Sequence, residues 1–189
     1  MIPVMRRALS FLSSCRVLTI GTGVKTGLNI KVDQPRTLGT DRVAAAVWAS
    51  QTAALPCVIV DFGTAITFTA LDANGALVGS AIAPGMHVAL HALGHAAAQL
   101  PEVRLDTPPK TVLGRATTEA IQIGSVYGTA AMVDGLLARF AEELSAQPEV
   151  LLSGSSAALI QPYLHTPTRL DPQLVLRGLA LIWRRNQKQ

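Results

Sequence analysis

Charge is scarce in this sequence. Of 189 residues only 15% are Asp, Glu, Lys or Arg, against 49% hydrophobic, and the mean hydropathy is +0.36. A disordered polyelectrolyte needs the opposite balance, so that class is excluded. Aromatics make up 4%, too few for a surface that stacks successive bases or sugar rings. Cysteine is limited to Cys15 and Cys57, far apart in the chain. They offer no zinc-ligand spacing and read as small buried hydrophobes in a reducing compartment. The stretch from Ala73 to Pro101 has no charged side chain, but Asn74-Gly75, Pro84-Gly85, Gly94 and three histidines interrupt it. Such breaks exclude a membrane-spanning helix. Arg6-Arg7 precedes an apolar stretch cut by Ser10, Ser13 and Ser14, an amphipathic helix and not a signal peptide. A cytoplasmic protein without membrane association is expected.

Lys+Arg 16 against Asp+Glu 12 leaves a net charge of +4. The densest basic run, Arg184, Arg185 and Lys188, lies at the C-terminus and reads as a solvated helix end, so no nucleic-acid partner is expected.

Apolar spacing predicts a helix over Pro3–Ser14, then an alternating strand over Arg16–Ile20 that stops at Gly21-Thr22-Gly23. Gly27–Lys31 reads as extended, Asp33-Gln34-Pro35 as a turn, and the Ala- and Val-rich stretch from Gly39 through Gln51 as a helix. Cys57–Phe62 is a β-branched run that ends at Gly63-Thr64. Ala65–Leu71 follows, with Ile66, Phe68 and Ala70 on one face and Thr67 and Thr69 on the other. Asp72-Ala73-Asn74-Gly75 is a hairpin turn into a third strand, Leu77–Ala83. Further helices are expected from Pro84-Gly85 to about Leu100, from about Thr118 to Leu144, around Ala157–Tyr163 and from about Gln173 to Arg185. Glu149–Ser153 reads as another strand. Three antiparallel strands followed by helices indicate an α/β fold.

Two motifs carry possible chemistry. Asp61-Phe62-Gly63-Thr64 sits at a strand-to-strand turn. A Gly-Thr pair there offers N–H groups and a hydroxyl to a phosphate, with a carboxylate beside it for a cation, though an ordinary tight hairpin has the same sequence. In Gly39-Thr40-Asp41-Arg42, glycine lets backbone approach a ligand, Asp41 can take a hydroxyl proton and Arg42 can clamp a carboxylate. The same four residues also suit a plain helix start with Thr40 or Asp41 as cap.

Order joins them to other landmarks: Val24-Lys25-Thr26-Gly27-Leu28-Asn29-Ile30 before Gly39, then Ile82-Ala83-Pro84-Gly85, Leu100-Pro101, Leu113-Gly114-Arg115-Ala116-Thr117 and Gly124-Ser125-Val126-Tyr127-Gly128. As an ordered set, running over essentially the whole chain, these resemble type III pantothenate kinase, of the actin/hexokinase/Hsp70-like (ASKHA) superfamily. The resemblance implies an RNase H-like α/β domain with a mixed sheet and flanking helices over 37–189, and a remnant of an N-terminal ASKHA domain over 1–36. It implies transfer of phosphate from ATP to pantothenate, the first step toward coenzyme A, in a homodimer with active sites near the interface. Asp41 then matches the general base, and Gly39, Thr40 and Arg42 match substrate-binding positions, with Arg42 on the pantothenate carboxylate. Asp61 matches the ligand of a monovalent cation, usually potassium; Gly63 and Thr64 match the ATP-phosphate turn; Thr117 matches a further substrate contact.

Three departures from the family pattern stand out. The family's opening Asp-x-Gly-Asn-Thr phosphate loop, and with it the acidic residue expected to hold Mg2+, is not in this sequence, and Met1-Ile2-Pro3 aligns near the end of the family's first domain. The resemblance thus implies little or no kinase activity for this chain alone, and an unpaired edge at Arg16–Ile20. A non-catalytic regulatory or binding relative and one chain of a split kinase are the alternatives. Ala116 stands where the family usually has Asn, and Ser153-Gly154-Ser155 where it usually has a Gly-Gly turn against adenosine.

Two features lie outside the motif set. His87, His91 and His95 share one helix face; the outer two are about 12 Å apart, so no single ion takes all three, although a neighbouring pair could chelate. A merely uncharged helix surface is the simpler reading. Gly124-x-x-x-Gly128 lets another helix approach, either within the chain or across a dimer.

Overall fold

β-Branched runs build the sheet, and alternation decides what covers each face. The computed structural model describes residues 2–12, 17–21, 23–105 and 109–187. Strands β1 (Cys57–Phe62), β2 (Ala65–Leu71) and β3 (Leu77–Pro84) form the antiparallel meander that the sequence predicts. β4 (Glu149–Ser153) joins β1 in parallel, and the two-residue β5 (Arg169–Leu170) joins β4 in parallel. The order is β3-β2-β1-β4-β5, the mixed RNase H-like arrangement. At the β2–β3 hairpin Asp72 accepts the N–H groups of Asn74 and Ala76 through one carboxylate oxygen, both at 2.9 Å. Gly75 there takes φ +72°, which a β-carbon disfavours.

The sheet lies between two helical layers. Val58, Val60 and Phe62 of β1, with Ile66, Phe68 and Ala70 of β2 and Val150 and Leu152 of β4, face α4 (Thr117–Glu143), which buries Val126, Ala130, Val133 and Leu137 against them. The alternate residues Cys57, Ile59, Leu71 and Leu151 face α2 (Thr40–Thr52) and α6 (Leu174–Arg185). Each fully buried aliphatic or aromatic side chain in these layers contributes about 1.5–3 kcal/mol. α6 crosses α2 so closely that a β-carbon on Gly178 would strike the carbonyl of Ala44. Beside that crossing, Asp171 accepts from Trp48 Nε1–H at 3.2 Å and pairs with Arg177 at 3.1 Å.

The remaining helices depart slightly from expectation. α1 (Ile2–Leu12) is exposed along its described side chains, and α3 (Met86–Ala96) ends four residues before Leu100. The segment expected as helix over Ala157–Tyr163 is a short α5 (Ala157–Ile160) followed by one 3-10 turn, because Pro162 lacks the N–H that a continued helix needs. Val17–Ile20 alternates like a strand but belongs to no ladder among the described residues. Leu18 and Ile20 pack instead on Ala44, Val47 and Ile182 of α2 and α6. Arg16 lies outside the described residues. Ile30 makes a single parallel bridge to Leu77, with Lys31 N–H donating to the Leu77 carbonyl at 2.8 Å.

Candidate active site

The period-2 alternation of β1 puts Asp61 on the same face as Cys57 and Ile59, toward α2, while Phe62 turns to the other core. In the parallel pairing Asp61 stands opposite Ser153, the last residue of β4, and the serine hydroxyl donates to its carboxylate. Burial pushes the Asp61 carboxyl up from the ordinary carboxylate range; the Ser153 hydrogen bond opposes that, and the negative charge of Asp41 adds to it. The structure thus brings Asp41 and Asp61, twenty residues apart in sequence, into one electrostatic site at the carboxyl ends of two parallel strands. In open α/β sheets that is where ligands bind.

α2 delivers Asp41 from its first turn, where the helix dipole favours a negative charge. Gly39 precedes the helix without a side-chain cap. A β-carbon on it would collide with Asp41 Oδ1 and lie 3.4 Å from Asp41 Cγ and 3.6 Å from Arg42 Nε. Glycine at 39 lets these two side chains approach the backbone, and any larger residue would make Asp41 turn aside. Thr40 and Asp41 open onto a cleft of about 540 Å³, walled by Leu18, Ile20, Val175 and Leu179. Arg42 Nη1 donates to Ser80 Oγ of β3 at 3.2 Å. Ser80 pairs with buried Thr69, and Thr67 pairs with Asp61, so a polar row runs across the α2 face of the sheet.

Two turns lie at the carboxyl end of β1, beside Asp61. Gly63 and Thr64 are exposed between β1 and β2, with Gly63 N–H donating to the Ala65 carbonyl at 3.1 Å. The Pro84-Gly85 turn docks on them: Gly85 N–H donates to the Thr64 carbonyl at 3.0 Å, and a β-carbon on Gly85 would strike the Gly63 and Thr64 carbonyls. Across from them, Gly154 takes φ +93°, and a β-carbon there would sit 2.5 Å from the Phe62 backbone N. Glycine is kept where the backbone demands it, and Ser155 turns its hydroxyl to the Phe62 carbonyl at 3.4 Å.

Thr117 belongs to a different cavity. It begins α4 and lines an apolar groove of about 560 Å³ between α3 and α4, together with Pro84, Met86 and Gly124. Ala116 precedes the helix without a side-chain cap, and Glu119 accepts the Arg115 N–H at 2.7 Å. Gly124 and Gly128 have nothing within 4 Å of where a β-carbon would lie, so among the described residues no helix packs on them. Sequence reasoning missed Ser153 and Ser80 as partners of Asp61 and Arg42. Their signal is the strand alternation, which places Ser153 two residues after inward Leu151.

Comparison with known proteins matches this arrangement to a family. The family model for type III pantothenate kinase matches residues 1–139. The type III pantothenate kinase of Listeria monocytogenes serovar 1/2a is 41% identical over 172 residues, and that of Anaeromyxobacter sp. strain Fw109-5 is 43% identical over 170. These alignments cover 91% and 90% of this chain and 66% of each relative, so the chain spans slightly less than two thirds of the relatives' length. Among solved structures, a Campylobacter jejuni protein described as a Baf family transcriptional activator superposes with TM-score 0.62 at 23% identity, over 88% of this chain and 72% of that one. That similarity is one of fold. The family match and the two relatives establish that this chain belongs to the type III pantothenate kinase family.

Proposed function

We propose that this chain carries the pantothenate-binding surface and part of the ATP-binding surface of a kinase that converts pantothenate to 4'-phosphopantothenate, in the cytoplasm. The observation that carries this reading is the convergence of Asp41, Arg42 and Asp61 on one face of the sheet, with exposed Gly63-Thr64 at its edge. Arg42 meets the pantothenate carboxylate, and Gly39 and Thr40 shape the backbone beside it. Asp41 accepts the proton of the pantothenate hydroxyl as its oxygen forms a bond to the γ-phosphorus of ATP and the bond to the β–γ bridging oxygen breaks, leaving ADP. Phosphoryl transfer asks mainly for positioning and charge neutralisation, which suits a site without a nucleophilic side chain. Gly63 and Thr64 offer N–H and hydroxyl groups to the phosphates.

Asp61 fits a monovalent cation such as potassium. It is a half-buried carboxylate with a serine hydroxyl beside it, and no Lys, Arg or His is among the groups that act on it. Mg2+ fits this chain less well, because the described residues hold no cluster of three metal-ligating side chains; it enters with the ATP phosphates. When bound, these ions neutralise phosphate charge. The chain pairs with a second copy through the open α3–α4 groove, where Gly124 and Gly128 leave room and Leu93 of α3 is exposed. Among the described residues no helix is long and apolar enough to cross a membrane.

Titration calorimetry with pantothenate in potassium buffer tests the reading. One site per chain is expected, retained within a few fold in Asp41→Asn, which keeps the shape of the carboxylate and removes the base. No binding at millimolar pantothenate overturns it.

A further inference from the structure

α3 carries a feature that pantothenate phosphorylation does not use. His91 and His95 lie four residues apart, so their β-carbons sit on one face about 6 Å apart along the axis. Their rings pack with centroids 4.2 Å apart, and the two Nε2 atoms approach to 3.0 Å. Two imidazoles with converging nitrogens are the donor set of a chelate.

We propose that His91 and His95 chelate a divalent late first-row transition ion, with water completing its coordination. The spacing of the nitrogens supports this. With metal–nitrogen bonds of about 2.05 Å, two ligands at right angles have nitrogens about 2.9 Å apart, and two tetrahedral ligands about 3.3 Å apart. The 3.0 Å separation is within a small side-chain adjustment of either arrangement, so the pair suits Ni2+, Cu2+ or Zn2+. Both rings are exposed, which leaves the remaining coordination positions open to solvent.

Along α3 itself no charge repels the ion; the charged residue that approaches the helix is Glu102, which lies against Gly94. α3 contains no Lys, Arg, Asp or Glu, and the charge-free stretch extends to Pro101. The helix is anchored from its other side, where Met86 is buried and Leu90 packs on the core under α4. The pair is therefore presented on a helix whose conformation is already set by packing, and little ordering is required of the ligands on binding. His87 lies one turn earlier, and among the described residues no third His, Cys, Asp or Glu joins the pair. The site has two protein ligands, and its ion holds the last turn of α3 together.

The test uses the untagged chain. Calorimetry with Ni2+ is expected to give one ion per chain, weakened at least tenfold by His91→Ala and equally by His95→Ala, and changed less than twofold by His87→Ala or His165→Ala. Circular dichroism confirms that each variant keeps its helix content. As a second readout, Zn2+ should shift the side-chain Nε2 resonances of His91 and His95 together in 15N spectra and leave those of His87 and His165 in place. Ni2+ affinity indifferent to His91→Ala and His95→Ala, an equal loss in His87→Ala, or one ion bound between two chains would each overturn the assignment.

Discussion

Replacing Gly178 with alanine sets two effects of opposite sign against each other. Glycine inside a helix costs about 1 kcal/mol relative to alanine, so helix propensity alone predicts that Gly178→Ala stabilises α6. The crossing with α2 predicts the reverse. The new methyl group would strike the Ala44 carbonyl oxygen and lie 2.5 Å from its carbon, and this obstacle is backbone that cannot rotate aside. Overpacking of this kind costs about 1–3 kcal/mol. Moving α6 away also loosens the Trp48–Asp171–Arg177 contacts at 3.2 and 3.1 Å, where hydrogen bonds to a charged group contribute about 1.5–3 kcal/mol. Set against the propensity gain, a net loss of about 2–3 kcal/mol is expected, which lowers the urea midpoint by about 1 M and the melting temperature by about 5–10 °C. Gly135→Ala in α4 is the control. Its nearest neighbour is the flexible end of Arg139 at 3.7 Å, so propensity acts alone and the variant should gain about 0.5–1 kcal/mol. Gly178→Ala as stable as the parent, or more stable, would refute the close α2–α6 crossing that aims Asp41 and Arg42.

Two further predictions concern carboxylates. Asp61 has a raised pKa in the folded chain, so folding favours its protonated form, and the stability this provides below the ordinary carboxylate range is lost as pH rises through the folded value. Asp61→Asn should therefore melt higher than the parent at pH 7 without potassium, with a gap that closes on acidification; a gap that is constant with pH contradicts the assignment. Asp134 behaves oppositely: burial disfavours its charge, but its hydrogen bonds with the His165 and Thr166 N–H groups and the Thr166 hydroxyl, at 2.9, 3.0 and 2.7 Å, hold it below the usual range. Asp134→Ala should cost about 1–2 kcal/mol at neutral pH, speed amide exchange at 165–166, and match the parent once acid has protonated Asp134.

Local signals explain why some elements could be read directly. The β-branched run Cys57–Val60, the Asn74-Gly75 hairpin and the long apolar stripe of α4 each specify their own conformation, and all three form where expected. β5 has two residues, too few for any periodicity, and exists because β4 offers it an edge. Val17–Ile20 shows the converse: alternation marks a strand, but a ladder requires a partner, and the helices take its apolar side chains instead. The end of α3 was illegible because the charge-free run up to Pro101 gives no stop signal. At the site, motif order pointed to Asp41 and Asp61. Their coupling, and the Ser153 and Ser80 contacts, are matters of cross-strand register, which no single segment contains.

The role of Arg42 tests the account most directly. Calorimetric titration should compare pantothenate with pantothenol, which has a hydroxyl in place of the carboxylate, in the parent chain and in Arg42→Gln. A charge-assisted contact contributes about 1.5 kcal/mol or more, so the parent should prefer pantothenate by about tenfold, and Arg42→Gln should lose that preference while binding pantothenol as before. If Arg42→Gln keeps the parent's preference for the carboxylate, Arg42 is not its clamp, and the site built on Gly39–Arg42 and Asp61 is not the pantothenate site.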